Sequence, residues 1–359
     1  MSAAAGADHA RQLPEGADAA SPLLEIRGLR VSFTLSDGRR LTAVDGINLS
    51  VAPGEAVGLA GESGSGKSTA VGAIMGLLAP NGRIDAGSIR YRGLDLAAKG
   101  APLRRTRWRE SAVDFQGSLV ALNPVIKVRD QVAEAIELRL GEPAEVAQEK
   151  AKLLLHDVGI PEKRINAYPH QLSGGQRQRA MLAVALSCSP AVLIGDEPTT
   201  ALDVIVQAQI LELLDRMRQE YGLGLILITH DLAVIADMCD RVAIMYAGRI
   251  VESGSVKEIF SAPRHPYTQA LLGAAPDARA GRRTIKVLEG HPPDLSALPP
   301  GCHFAPRCPL ADARCREEDP PTIEYADQVT LACHRYSLGD GKLPTPIDAP
   351  YPTLELGKR

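Results

Sequence analysis

Aromatic residues are scarce in this chain, 4% of 359 positions with a single Trp, so Leu, Val, Ile and Ala must build its core. Nowhere does an apolar run reach the roughly eighteen residues that a membrane-crossing helix requires. The longest candidates, residues 180–188 and 191–195, are broken by Ser189 and Pro190. The first 22 residues lack the basic start and apolar stretch of a signal peptide. Their Ala, Gly, Pro and Asp content predicts a disordered tail. The chain is therefore expected to stay in the cytosol, free to dock on a membrane protein. An excess of one charge is missing as well: 40 basic and 43 acidic residues leave −3, which gives no reason to expect nucleic acid as a partner. Cysteines number only six, too few for a disulfide scaffold. Four of them crowd into residues 302–333, and such clustering in a cytosolic chain points to a metal or cofactor.

From Leu23 onward, strand-like and helix-like segments alternate. Residues 23–33 and 47–51 read as strands around the turn Ser36-Asp37-Gly38, and residues 57–61 as a short buried strand. Residues 66–78 then read as an apolar-faced helix, and 86–93 as another strand. Residues 128–158 carry helical spacing. Residues 191–198 form an apolar strand running into Asp-Glu-Pro, followed by a helix over 204–221, a strand over 223–231 and a hairpin turning at Ala247-Gly248. Such alternation predicts an α/β fold around a largely parallel sheet. The expected organisation is a tail over 1–22, a main α/β unit over 23–255 with a helical insertion over about 101–189, a separate Pro- and Cys-rich module over 256–345, and a tail over 346–359. There is no internal repeat.

Residues Gly61, Glu62, Ser63, Gly64, Ser65, Gly66, Lys67 and Ser68 fit the phosphate-loop pattern G-x-x-x-x-G-K-[ST] in full, between an apolar strand and a helix that continues through Thr69. Glycines let the backbone curl so that successive N–H groups point at phosphate, and the helix start adds its positive dipole end. Lys67 is expected to reach the β- and γ-phosphates of ATP, and the Ser68 hydroxyl to coordinate Mg²⁺. The apolar strand ending at Asp196-Glu197 delivers carboxylates where Mg²⁺ needs an oxygen. Asp196 suits the metal, and Glu197 suits polarisation of the attacking water. His230 also ends an apolar strand, where open α/β sheets bind ligands. A lone His there is more often structural than catalytic, and both readings stay open at this level.

Ser173, Gly174, Gly175 and Gln176 open a helix and form a second potential anion site. One ATP needs one phosphate loop, so a second glycine-rich helix start implies a γ-phosphate presented by another copy. With the phosphate loop and the Asp-Glu strand, the string LSGGQRQR over 172–179 resembles the signature of ATP-binding-cassette (ABC) proteins, and the fold implied is that of a P-loop NTPase with a helical subdomain. The resemblance extends over about residues 23–345. It implies that Phe33 stacks on adenine and that Gln116 senses Mg²⁺ and water, so that Ser68, Gln116 and Asp196 make up the Mg²⁺ set. It implies further that Ser173 to Gln176 meet the partner's γ-phosphate, that Ala201-Leu202-Asp203 crosses the dimer interface and that His230 is the γ-phosphate switch. Two departures stand out. Gln116 is followed by Gly117-Ser118 instead of an acidic residue and Pro, and Gly195 stands where Ala is common.

The strings HPYTQALL over 265–272 and GCHFAPRCPLADARC over 301–315 look like the C-terminal extension of oligopeptide, dipeptide and nickel importer ATPases. That resemblance implies an ATPase on the cytoplasmic face of the membrane. Its partners would be two transmembrane permease subunits, a second ATPase subunit (a heterodimer in the first place, a homodimer as the alternative) and an extracytoplasmic binding protein. Short peptides are the expected solute, with nickel complexes or glutathione-like compounds as alternatives. A soluble non-transport cassette is disfavoured by the lack of a coiled-coil insertion or a second cassette. A nucleotide-binding scaffold is disfavoured by the presence of Glu197 and His230. Cys302, Cys308, Cys315 and Cys333 are separated by five, six and seventeen residues. Four thiolates suit either Zn²⁺ or a 4Fe-4S cluster. The lack of short Cys-x₂₋₄-Cys spacings argues against zinc, whereas His303 and His334 beside the thiols keep it open. The resemblance favours the cluster, as a structural clasp in a segment with few large apolar residues. Cys188 and Cys239 stand alone in apolar surroundings and are expected in the core.

Overall fold

The computed structural model describes residues 22–95, 111–114, 122–200, 202–274, 290–326 and 328–336. Two sheets organise it. The first pairs strands β1 (Leu24–Thr34), β2 (Arg40–Val51), β4 (Gly82–Tyr91) and β5 (Leu94–Asp95) in the antiparallel order β2-β1-β4-β5. The second has eight strands in the order β11-β12-β10-β9-β3-β8-β7-β6, with β3 at Ala56–Ala60, β6 at Ser111–Asp114, β7 at Val192–Asp196, β8 at Gly224–Ile228, β9 at Arg241–Tyr246, β10 at Arg249–Ser255, β11 at Ile323–Ala326 and β12 at Val329–Leu331. The run from β9 through β3, β8 and β7 to β6 is parallel.

Every residue of β3, β7 and β8 is buried, which is why these strands read as unbroken apolar runs rather than as alternation. The two-residue period of a strand divides them between two cores. Val57, Leu59, Val192, Ile194, Ile226 and Ile228 face the antiparallel sheet and helix α1 (Lys67–Ile74). Ala56, Ala60, Leu193, Leu225 and Leu227 face the longer helices. Those include α2 (Val128–Leu140), α3 (Ala144–Asp157), α4 (Gly174–Leu186) and α5 (Val204–Tyr221). Val128, Val132 and Ile136 of α2 recur at i+4, as do Ala147, Ala151 and Leu155 of α3, so the two buried stripes pack on each other. The free thiols of Cys188 and Cys239 are both buried, as expected, and burial pushes Cys239 up to about 12.

Two expectations about organisation need amending. The helical insertion expected over 101–189 contains Ser111–Asp114, which is the edge strand of the main sheet beside β7. A strand of four residues offers too few repeats of a two-residue period to be read from sequence. The region after 256 is also joined to the main sheet. Strand β12 pairs with β10 through Glu252↔Leu331 and Ser253↔Thr330, and the Ser253 hydroxyl bonds the Gln328 carbonyl at 3.0 Å. The chain thus returns to extend the sheet. Its aromatic residues join the main core: Phe304 lies edge-on to Tyr246 at 5.2 Å, and Tyr267 packs on the same ring at 4.5 Å. Large apolar residues are few in this segment, yet Phe304 and Tyr267 are almost fully buried, so it shares a core instead of relying on a clasp alone.

Candidate functional site

The phosphate loop follows β3 and runs into α1. Gly61 has φ 151 and Gly66 φ 103. A Cβ at Gly61 would stand 2.1 Å from the Met245 carbonyl oxygen, and one at Gly66 would stand 2.4 Å from that of Ala43. Glycine is needed at both positions for conformation and for close approach. Lys67 folds over the loop: its Nζ donates to the Gly61 carbonyl at 2.8 Å, the Glu62 carbonyl at 2.9 Å and the Ser65 hydroxyl at 3.2 Å. Burial presses the Lys67 ammonium below its ordinary pKa, against the pull of Asp196, Glu197 and Glu62. An anion brought to this ammonium relieves that cost.

Strand β8 separates β3 from β7, so the carboxyl ends of three neighbouring parallel strands meet here. Asp196 ends β7, is buried, and accepts a hydrogen bond from the Ser68 hydroxyl of α1. Burial raises the Asp196 carboxyl above its ordinary value, Glu197 adds to the rise, and Lys67 and Ser68 oppose it. A carboxylate destabilised in this way gains from a cation, and a hydroxyl and a carboxylate side by side are the oxygen donors that Mg²⁺ prefers.

Glu197 adopts φ 52, an uncommon value for a residue with a side chain. Its N–H donates to the Ile228 carbonyl at 2.8 Å, which ties the bend to the end of β8. One carboxylate oxygen accepts from the Thr200 hydroxyl at 2.9 Å, and the other lies 3.2 Å from His230 Nδ1. The His230 side chain is 76% exposed, so the imidazole is open to solvent beside a largely covered carboxylate. Lys67, Ser68, Asp196, Glu197 and His230, read from three separate stretches of sequence, are thereby gathered at one edge.

Other expected residues lie elsewhere. Ser173 caps α4: its hydroxyl accepts from the Gln176 N–H at 3.3 Å, while Gln176 Oε1 accepts from the Ser173 N–H at 3.1 Å. This reciprocal box satisfies two helix-end donors. Gly174 and Gly175 face Leu202 and Val206; a Cβ on Gly175 would stand 2.6 Å from Val206 Cγ1. Asp203 caps α5 through the Val206 N–H at 2.9 Å. The signature start and the Asp203 segment therefore pack as one surface. Phe33, on β1, lies against Gly82 on the antiparallel sheet, and Thr69 sits on α1. Gln116 and Ala201 fall outside the described residues.

The four clustered cysteines line one cavity of about 20 Å³ together with His265, Phe304 and His334. Burial pushes Cys302 up to about 11 and Cys333 to about 12, with the neighbouring thiols adding to the rise. Cys308 and Cys315 are raised as well, again chiefly by burial. His334 Nδ1 is buried and meets no hydrogen-bond partner among the described residues. Among those residues, however, no three His, Cys, Asp or Glu side chains stand at metal-holding geometry. The expected cluster is therefore not supported by a metal-holding group of side chains among the described residues, although the four thiols line one cavity.

Several residues at the site carried no readable role in the sequence. Glu252, on β10, accepts the N–H groups of Arg264 and His265 at 2.8 and 3.0 Å, and His265 Nδ1 accepts that of Tyr267 at 3.0 Å. These contacts hold the start of the helix Pro266–Gly273. The Tyr267 hydroxyl then accepts the N–H of Glu62 inside the phosphate loop at 2.9 Å. The string HPYTQALL was a visible signal, but the partner that explains it lies 205 residues away.

Comparison with known proteins agrees with this geometry. Residues 44–200 match the ABC transporter family, and residues 251–315 match the oligopeptide/dipeptide transporter C-terminal region. The dipeptide transport ATP-binding protein DppD of Escherichia coli is 45% identical over 326 residues, covering 90% of this chain and 99% of its own length. The oligopeptide transport ATP-binding protein OppD of the same organism is 44% identical over 326 residues, covering 90% and 96%. A solved dimeric ATP-binding cassette in a post-hydrolysis state, bound to ADP and Pi, superposes with a TM-score of 0.57 at 25% identity over 65% of this chain and 98% of that one.

Proposed function

The chain belongs to the ATP-binding-cassette family, in the branch of peptide-import ATPases, and from that membership we propose that it binds and hydrolyses ATP at the edge formed by β3, β7 and β8 to drive import of short peptides. The observation that carries the reading is the meeting of Lys67, Ser68, Asp196, Glu197 and His230 at the carboxyl ends of neighbouring strands. In this reading the loop N–H groups and Lys67 hold the β- and γ-phosphates, with Phe33 against the adenine. Ser68, Asp196 and Gln116 would hold Mg²⁺, which supplies charge neutralisation on the phosphates. Glu197 orients the attacking water and draws on its proton, and His230 holds Glu197 and meets the γ-phosphate side.

The Ser173–Gln176 start of this chain meets the γ-phosphate held by a second cassette subunit, a distinct one in the first place and an identical one as the alternative. Asp203 and its neighbours complete the contact. Two permease subunits receive the motion, and a binding protein outside the membrane delivers the solute. No described helix is long and apolar enough to cross a bilayer, and in this reading the chain's place is peripheral, on the cytoplasmic face beside the permeases. The clustered thiols are proposed as ligands of a 4Fe-4S cluster, with zinc as the alternative. Support comes from their shared cavity and the unpartnered His334 nitrogen that lines it.

The test is Mg²⁺-dependent ATP hydrolysis by the assembled transporter together with uptake of labelled di- and oligopeptides into vesicles. Lys67→Ala is expected to abolish both by removing the phosphate contacts. Hydrolysis without any peptide uptake would overturn the peptide reading and leave the ATPase reading standing.

A further inference from the structure

Glu62 is the second residue of the phosphate loop, so its carboxylate puts a negative charge in the segment expected to receive a triphosphate. Left unpaired, that charge would repel the anion. It is paired from far along the chain: Arg307 Nη1 donates to Oε2 at 2.6 Å and Nη2 to Oε1 at 3.0 Å, a two-pronged contact across 245 residues. The Arg307 side chain is only 6% exposed. Its guanidinium lies 5.8 Å from the centroid of the Tyr246 ring and reaches the Tyr246 hydroxyl at 3.4 Å.

Arg307 ends the short 3-10 turn Ala305–Arg307, whose neighbour Phe304 packs on Tyr246, Tyr267 and His265. Tyr267, from the same aromatic group, accepts the Glu62 N–H. Lys67 takes the Glu62 carbonyl. The N–H, the carbonyl and the carboxylate of one loop residue are thus fixed separately, two of them by the C-terminal extension.

We infer that Arg307 is a positioning residue for nucleotide binding: with Tyr267 it holds the phosphate loop in its anion-receptive shape and cancels the Glu62 charge, so that the C-terminal extension forms an outer wall of the ATP site. This rests on the reading of residues 61–68 as the phosphate loop. A planar fork suits the task where an ammonium does not, because only the fork engages both carboxylate oxygens at once.

The experiment is equilibrium binding of Mg-ATP and Mg-ADP to the full-length chain, with steady-state hydrolysis in the assembled transporter. Arg307→Met should weaken both nucleotides about tenfold or more, the scale of losing a charge-assisted pair, and raise KM more than it lowers kcat. Arg307→Lys should recover part of that loss, the charge without the fork. The double variant Arg307→Met with Glu62→Gln should recover most of it, because no carboxylate remains to be cancelled. Wild-type affinity in Arg307→Met would overturn the inference. So would a double variant as weak as Arg307→Met, since the loss would then be one of packing. If Arg307→Met does not fold, Tyr267→Phe removes a single oxygen and keeps the ring. A loss of about threefold or more, the scale of one hydrogen bond, is expected there, and undiminished binding would overturn the clamp. Failure of the wild-type chain to bind Mg-nucleotide would instead remove the phosphate-loop reading itself.

Discussion

Nδ1 of His230 stands 3.2 Å from Oε1 of Glu197, joining the segments that follow two adjacent parallel strands. The other Glu197 oxygen is held by Thr200, and the backbone bend at φ 52 is tied to Ile228. A carboxylate fixed at both oxygens and mounted on an uncommon backbone conformation is oriented for one task.

That task is tested by Glu197→Gln. The amide cannot take a proton from water, so turnover in the assembled transporter should fall by about 10² to 10⁴, the usual worth of a positioned base, with ATP binding retained. His230→Ala should lower turnover as well, by freeing one Glu197 oxygen. Undiminished hydrolysis in Glu197→Gln would remove that residue from the proposed role.

Ser173 serves its own helix as a cap and is proposed to meet the partner's γ-phosphate. Ser173→Arg in the Glu197→Gln background should block the ATP-dependent closed dimer through bulk and misplaced charge. Ser173→Thr retains a capping oxygen and should still close. Losing the cap alone costs about 1 kcal/mol, so a parallel Ser173→Ala melt separates the stability effect. Cross-linking with ATP reads the outcome, and a normal closed dimer in Ser173→Arg would defeat the dimer assignment.

Glu252 is fully enclosed, and burial pushes it up to about 7, against the hydrogen bonds from the Arg264 and His265 N–H groups. The unfolded chain releases this proton near 4.5. Stability from Glu252 is therefore complete below that pH and drains away as pH rises through about 7, with a slope of at most about 1.4 kcal/mol for each step of one in pH. Glu252→Gln should flatten the dependence of the melting temperature between those pH values. An unchanged slope in the variant would place the titrating group elsewhere.

For the thiol cavity, protein purified without oxygen is expected to be brown and to carry iron and acid-labile sulfide. Cys308→Ser with Cys315→Ser should remove both and loosen the segment around the short helix Ala313–Glu317. Colourless protein with one zinc per chain would replace the cluster with the alternative metal.

The sequence alone determined the parts of this protein whose geometry is local. The phosphate loop is legible because Gly61 and Gly66 answer to backbone conformation and close approach, and Lys67 folds onto carbonyls five and six residues away. The Ser173–Gln176 box closes within one helical turn, and the fully buried strands β3, β7 and β8 announce themselves as apolar runs. The helical insertion reads too wide because Ser111–Asp114 is too short to show a period. The remainder is set by strand order, which no local pattern encodes. The return of β12 to β10 makes the C-terminal region part of the sheet through two backbone pairs. That return seats Phe304 on Tyr246 and carries Arg307 to Glu62. An arginine among Pro and Cys gives no hint of its partner, because the partner is fixed by packing across 245 residues and not by anything beside it in the chain.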